Sequence, residues 1–140
     1  MMTHMNPSAI FWPMIFHVIL VFGIYILMFV RRKRAVAAGN ARVSQFRENQ
    51  VEPSESLFVR NNLNNQFELP TLFHIGCLGL FATGNVGFLT LGLAWIFILS
   101  RYVHSYIHVT SNRIRYRQPA FGLGFLALGL MWLVLAFGLL

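Results

Sequence analysis

A stretch of thirty-two residues without Asp, Glu, Lys or Arg, from Leu69 to Ser100, most constrains how this chain can fold. Glu68 precedes the stretch and Arg101 follows it. A bilayer core of roughly 30 Å takes about 20 helical residues, so the stretch is too long for one membrane crossing and right for two. Gly84 and Asn85 lie at its centre and tolerate the backbone angles of a tight turn. The stretch therefore predicts a helical hairpin within a membrane.

The predicted hairpin brings its two flanking charges to the same height. Glu68 and Arg101 each lie 16.5 positions from the centre of the turn. At about 1.5 Å per residue they sit roughly 25 Å from the turn, just inside the far edge of the hydrocarbon. An ionisable pair at that depth is costly unless it is satisfied, so it marks a candidate functional site. The same register, which could shift by one or two residues, places Asn65 level with His104.

Composition and the lengths of the uncharged segments predict the fold. Hydrophobic residues make up 56% of the chain and charged residues only 11%, against about 25% charged residues in soluble domains. We predict an all-α fold, an integral membrane four-helix bundle in one domain over residues 1–140. The predicted helices run from about 9–34, 61–82, 86–108 and 118–140. The first helix is expected to be retained rather than cleaved, because Met1–Ser8 contains no Lys or Arg.

The basic residues predict the topology. The net charge is +7, and all eleven basic residues fall in two connections or the helix ends beside them: Arg31, Arg32, Lys33, Arg34, Arg42, Arg47 and Arg60, then Arg101, Arg113, Arg115 and Arg117. The positive-inside rule makes both connections cytoplasmic and leaves both termini outside, in the inner (plasma) membrane if the source is bacterial. The positive charge thus favours a lipid bilayer with anionic headgroups as partner and argues against nucleic acid.

Polar side chains from two neighbouring helices are predicted to form a crevice near the cytoplasmic interface. Asn65 and Glu68 share one face of the second helix, and Arg101, His104 and His108 fall at i, i+3 and i+7 on the third. Arginine supplies forked donors to carboxylates, and a glutamate can hold an ammonium group. The crevice therefore suits a small ligand that carries carboxylates.

Three other interpretations of these residues remain open. A buried ion pair between Glu68 and Arg101 could serve only to fix the helix register. His104 and His108 are four residues apart on a helix, but without further acids or cysteines they make a weak metal site, and we predict no metal. A small four-helix exporter fits the chain length, although it would need a carboxylate near mid-bilayer for proton coupling.

Two short motifs resemble a known family. An N-x-x-E motif at Asn65 and Glu68 is followed by an R-x-x-H motif at Arg101 and His104. In this order and on this helical plan, the chain resembles a bacterial-type member of the MAPEG superfamily, the membrane-associated proteins in eicosanoid and glutathione metabolism. The resemblance implies a homotrimer with sites between subunits that open to the cytoplasm. It also implies that glutathione is a co-substrate held by these four residues and by His108.

The resemblance further implies a catalytic arginine. In several members an arginine at the start of the fourth helix holds the glutathione thiolate, and Arg117, sixteen residues after Arg101, falls at that position. Arg115 is a plausible substitute. Arg34 or Arg31 matches the basic end of the first helix, so Arg34 is a further candidate for binding the tripeptide.

The chain also departs from the glutathione-binding members at positions where they often carry tyrosine. His108 stands in place of one such tyrosine and can still donate a hydrogen bond, whereas Phe121 stands in place of another and cannot. The resemblance therefore predicts a membrane-embedded, glutathione-dependent transferase or peroxidase acting on a lipophilic small molecule. The alternative is a non-catalytic lipid-binding or scaffold protein with the same fold.

Overall fold

The computed structural model describes residues 5–140, and the whole of this part that has regular structure is helical. After a 3₁₀ turn at Pro7–Ile10 come α1 (Phe11–Ala37), α2 (Val43–Arg47), α3 (Ser54–Asn65), α4 (Leu69–Ala82), α5 (Phe88–Val109) and α6 (Ile114–Phe137). Three helical segments are long and apolar enough to cross a membrane: Pro7–Ala37, Phe88–Val109 and Ile114–Phe137. The all-helical, membrane-spanning character predicted from composition is therefore confirmed.

The helix expected over residues 61–82 is divided into α3 and α4. α3 begins at Ser54, earlier than expected, and the chain leaves helical geometry at Glu68, with φ −91° and ψ −108°. Pro70 explains the break, because its ring nitrogen carries no hydrogen for the carbonyl of Gln66 and its ring would crowd that carbonyl. A proline is tolerated in the first turn of a helix, so α4 restarts around it.

The apolar core lies where α4, α5 and α6 pack together. Phe73 and Phe97 are fully buried and stack with their ring centroids 4.6 Å apart. α6 closes over them because Gly124 faces Ser100 and Phe97 at a distance that leaves no room for a side chain. The outward faces stay apolar as well, as in Phe22, which is 64% exposed. Exposed apolar side chains of this kind suit helices that face lipid.

The connection between α1 and α3 is held by a partly buried ion pair. Arg32 donates from Nε and Nη2 to the two carboxylate oxygens of Glu52, at 2.8 and 2.7 Å. Ser56 donates to the same carboxylate at 2.5 Å, and the Arg32 guanidinium lies 4.9 Å from the ring centroid of Phe46. These contacts tie the end of α1 to α2 and to the first turn of α3, so the connection is an ordered element.

The Arg32–Glu52 pair is expected to make stability depend on pH. Burial alone would raise the pKa of Glu52, but hydrogen bonds from Arg32 and Ser56 outweigh burial and hold the pKa below its ordinary value of 4.5. A lowered folded-state pKa stabilises the fold above the ordinary value, and this contribution is lost as pH falls through the lowered one. Glu52→Gln should therefore cost about 1–2 kcal/mol at neutral pH, measured by thermal melts in detergent.

The difference in melting temperature between wild type and Glu52→Gln should shrink as pH falls below about 4.5. Glu48→Gln is the matched control, because the Arg47 side chain with which Glu48 pairs is 78% exposed and such a pair contributes little. A difference that stays constant from neutral to acidic pH would contradict this role of Glu52.

Candidate functional site at the end of α3 and the middle of α5

Arg101 is the buried charge at the centre of the candidate site. It lies on α5 with 2% of its surface exposed, and its Nη2 donates to the backbone carbonyl of Asn65 at 3.4 Å. Asn65 is the last residue of α3, whose final carbonyls have no partner within the helix and attract a cation. The Nε of Arg101 is buried and finds no hydrogen-bond partner within residues 5–140. Arg101 thus keeps an unused donor beside the end of α3.

His104 and His108 extend the site along α5. The two rings lie 5.6 Å apart by centroid, and the Nδ1 of His108 lies 3.5 Å from the side-chain amide nitrogen of Asn65. The Nδ1 of His104 is buried and also lacks a partner in the described part of the chain. Phe121 of α6 packs against His104, with ring centroids 6.0 Å apart. The site therefore has two unsatisfied polar atoms next to an aromatic wall.

Glu68 does not form the ion pair that its spacing from Arg101 suggested. It is exposed, and its carboxylate makes no hydrogen bond or salt bridge with any described residue. The Arg101 guanidinium instead donates to the backbone carbonyl of Asn65, three residues before Glu68. Glu68 and Arg101 therefore make no direct salt bridge in the described chain, although the Glu68 charge acts on Arg101 through space.

The two remaining predicted arginines make no hydrogen bond to this cluster in the described chain, although the charge of Arg117 acts through space on His104 and His108. Arg117, in the first turns of α6, donates from Nη1 to the side-chain oxygen of Asn112 at 2.5 Å. Arg34 is exposed near the end of α1, and its side chain makes no hydrogen bond or ion pair within the described residues. The structure thus brings together four of the predicted residues: Asn65, Arg101, His104 and His108.

A buried polar network beside the site was not anticipated from sequence. The side chains of Asn62 on α3 and of Gln66, which directly follows α3, bond to each other at 2.7 Å, and both reach Ser105 on α5. Gln66 also contacts His17 of α1. The run of polar residues before Pro70 was the available signal, but it was understood only as a helix start. The network joins three helices inside an otherwise apolar bundle.

The described residues contain no group of three or more His, Cys, Asp or Glu side chains placed to hold a metal ion. His104 and His108 have neither an acid nor a thiol among their recorded contacts. The chemistry available at the site is therefore the binding of an anionic or hydrogen-bonding ligand by a guanidinium, two imidazoles and an amide.

Comparison with known proteins identifies the family. The sequence model described as the MAPEG family matches residues 9–137, which is nearly the whole chain. The chain belongs to the MAPEG family. No curated protein and no solved structure matches it. The resemblance drawn from the two short motifs is thus confirmed, and the family together with three apolar helices indicates an integral membrane protein.

Proposed function

We propose that this MAPEG family member is a membrane-embedded, glutathione-dependent transferase or peroxidase that acts on lipophilic electrophiles. The observation that carries the proposal is the buried guanidinium of Arg101, whose Nε has no hydrogen-bond partner and which makes no salt bridge within the described chain, although the Glu68 charge acts on it through space. A buried cation without a counter-ion is costly, so the site favours an anionic ligand. The family generally uses glutathione, whose two carboxylates would supply the missing charge.

The residues around Arg101 fit a tripeptide of this kind. Arg101 would hold one carboxylate through forked, charge-assisted hydrogen bonds, and His104 would donate to it or to a neighbouring carbonyl. Asn65 and His108 would bond to the peptide groups. Glu68, exposed and unpaired, would hold the ammonium group.

Arg117 is the proposed catalytic residue. A thiolate, not a thiol, is the nucleophile, and a nearby cation lowers the thiol pKa from about 8.5. Arg117 would leave Asn112 and meet the sulfur, which would then attack the electrophilic carbon or oxygen while the leaving group departs. The second substrate would reach the site from the lipid phase between helices.

The proposed assembly is a homotrimer with four crossings in each subunit. α4 has 14 residues and extends only about 21 Å, which is too short to cross a bilayer core alone. The crossing that contains α4, second in chain order, would therefore also include the end of α3. The basic connections would face the cytoplasm, both termini would lie outside, and Arg34 would reach the site of a neighbouring subunit. The positive charge of the two connections supports this orientation.

A non-catalytic lipid-binding or scaffold protein is the second candidate. The hydrogen bond from Arg117 to Asn112 favours it, because that arginine is already engaged. Phe121 favours it too, since it offers no hydroxyl at the aromatic wall. In this case Arg101 would serve only to neutralise the carbonyl end of α3.

A conjugation assay separates the two candidates. Detergent-purified protein should bind glutathione in calorimetry and conjugate it to an aromatic electrophile faster than buffer does. Arg117→Ala should lower kcat at least about tenfold, because the loss of a cation next to the sulfur reduces the thiolate fraction. Arg115→Ala should be tested beside it, and Arg47→Ala, on the exposed α2, is the control expected to leave the rate unchanged. No glutathione binding and no rate above buffer would instead support the scaffold.

A further inference from the structure

A series of hydrogen bonds leads from the last turn of α3, through α1, to the half-buried His74 on α4. The Nε2 of His17 lies 3.1 Å from Oε1 of Gln66, and the Nδ1 of His17 lies 2.9 Å from Nε2 of His74. Gln66 in turn places its Nε2 at 3.2 Å from the backbone oxygen of Asn62. These hydrogen bonds do not involve Arg101, His104 or His108, although the Arg101 charge acts on His17 through space.

The backbone oxygen of Asn62 decides which atom donates and which accepts in each of these hydrogen bonds. A backbone oxygen only accepts, so the amide nitrogen of Gln66 faces Asn62 and its oxygen faces His17. The Nε2 of His17 must therefore carry the proton. A neutral imidazole has one N–H, so the Nδ1 of His17 accepts, and the Nε2 of His74 donates to it. His17 is 3% exposed, and a charged imidazolium there would have no counter-ion.

The last atom in this series of hydrogen bonds, Nδ1 of His74, is an acceptor without a partner among the described residues. With its proton on Nε2, His74 has a lone pair on Nδ1, and this nitrogen makes no hydrogen bond within the described part of the protein. Thr71, one turn earlier on α4, donates its hydroxyl hydrogen to the carbonyl of Phe67 at 2.8 Å. The hydroxyl oxygen of Thr71 can therefore also accept a hydrogen bond. Nδ1 of His74 and the Thr71 hydroxyl oxygen can therefore both accept a hydrogen bond from a ligand that carries a donor.

Two adjoining cavities meet at His74. One, of about 200 Å³, has a mostly apolar lining that also includes the polar side chains of His17, Gln66 and Thr71. The other, of about 580 Å³, is otherwise apolar and runs along α1 past Phe11, Met14 and Ile15. Both cavities share Val18, Phe22 and His74. Together they form an apolar groove with a few polar groups at the end beside Gln66.

The depth of the pocket restricts the ligand further. His74 lies five residues into α4, about 8 Å from its start, and His17 lies about 21 Å along α1 from Arg31. With the predicted membrane placement of these helices, both positions fall within the hydrocarbon, where an ionised headgroup is costly. A neutral hydroxyl donates to Nδ1 without that cost, and an alkyl chain fills the groove.

We propose that α1 and α4 bind a neutral single-chain lipid bearing a hydroxyl group, which donates to Nδ1 of His74 while its alkyl chain lies against Phe22 and Val18. His17 is a positioning residue, because it holds His74 in the tautomer that accepts. This binding site is separate from the proposed glutathione site and does not depend on it.

Matched ligands test the hydrogen bond directly. Full-length protein in nanodiscs is titrated with a long-chain fatty alcohol, its methyl ether and the alkane of equal length. The alcohol should bind about three- to tenfold more tightly than the ether, the effect of one hydrogen bond. His74→Phe should abolish this preference, whereas Ile75→Phe, a neighbour on α4 that is half exposed, should preserve it. Equal affinity of alcohol and ether for the wild-type protein would overturn the proposal.

Two further measurements keep the test valid if a variant misfolds. Histidine-selective ¹⁵N NMR of the wild-type protein should show both His17 and His74 as Nε2–H tautomers, with the Nδ1 signal of His74 moving on addition of alcohol. An Nδ1–H tautomer at His74 would overturn the proposal. A second copy of the chain in the groove would also overturn the proposal. It would be detected if a Val18→Cys thiol were protected from a lipid-soluble maleimide in the oligomer.

Discussion

Arg101→Met is expected to reduce glutathione affinity at least about a hundredfold. Each hydrogen bond from a guanidinium to a carboxylate contributes about 1.5–3 kcal/mol, and the forked geometry provides two. Methionine has similar length and no charge, so it fills the same space on α5 while it removes both donors. Calorimetry with purified protein measures the loss.

Two companion variants show what the loss means. Arg101→Lys keeps the charge but not the fork, so it should recover only part of the affinity. Arg47→Met, which removes an exposed guanidinium far from α5, should bind glutathione like the wild type.

The outcome for Arg101→Met also separates the two candidate functions. If Arg101 served only to neutralise the end of α3 through the carbonyl of Asn65, the variant would lose thermal stability while ligand binding stayed as in the wild type. A folded Arg101→Met protein with unchanged glutathione affinity would contradict the proposed function. Size-exclusion chromatography and a thermal melt establish that the variant is folded.

Phe97→Ala is expected to have the largest effect on stability, about 2–4 kcal/mol. Phe97 is fully buried, stacks on Phe73 and packs under Gly124, so its removal opens a void among α4, α5 and α6. Lipid is as apolar as the core, so the cost comes mainly from lost packing contacts and little from transfer to solvent. Titration of the folded protein with a denaturing detergent measures it.

Leu89→Ala is the matched control for Phe97→Ala. Leu89 lies on the same helix, is 63% exposed and faces away from the core, so its truncation should change stability by less than about 0.5 kcal/mol. Similar losses for both variants would contradict the placement of the core between these helices.

Much of the fold was predictable from the sequence, but the helix break before Pro70 was not. The uncharged segments predicted helices in a membrane, and the glycine at the centre of the longest segment predicted a turn; Gly84 has φ +70°, between α4 and α5. The break between α3 and α4 was missed because the prediction counted apolar length and gave no weight to Pro70. The prediction also paired Arg101 with Glu68, whereas Arg101 donates a hydrogen bond to the carbonyl of Asn65.

The candidate site was only partly predictable for the same reason. Spacing on α5 placed Arg101, His104 and His108 on one face, and the structure has them together. Spacing could not show that Arg117 engages Asn112, or that Gln66 and His17 form a chain that ends at His74.

By itself, the sequence determined the membrane-spanning character, the helical class and the family. The membrane-spanning character and the helical class depend on the free energy of transferring each side chain into lipid, and these contributions add up along the chain. The family depends on short motifs. Only the tertiary structure decided which polar groups meet. That depends on how each helix is rotated and where its backbone bends, and many packing contacts between distant residues set both.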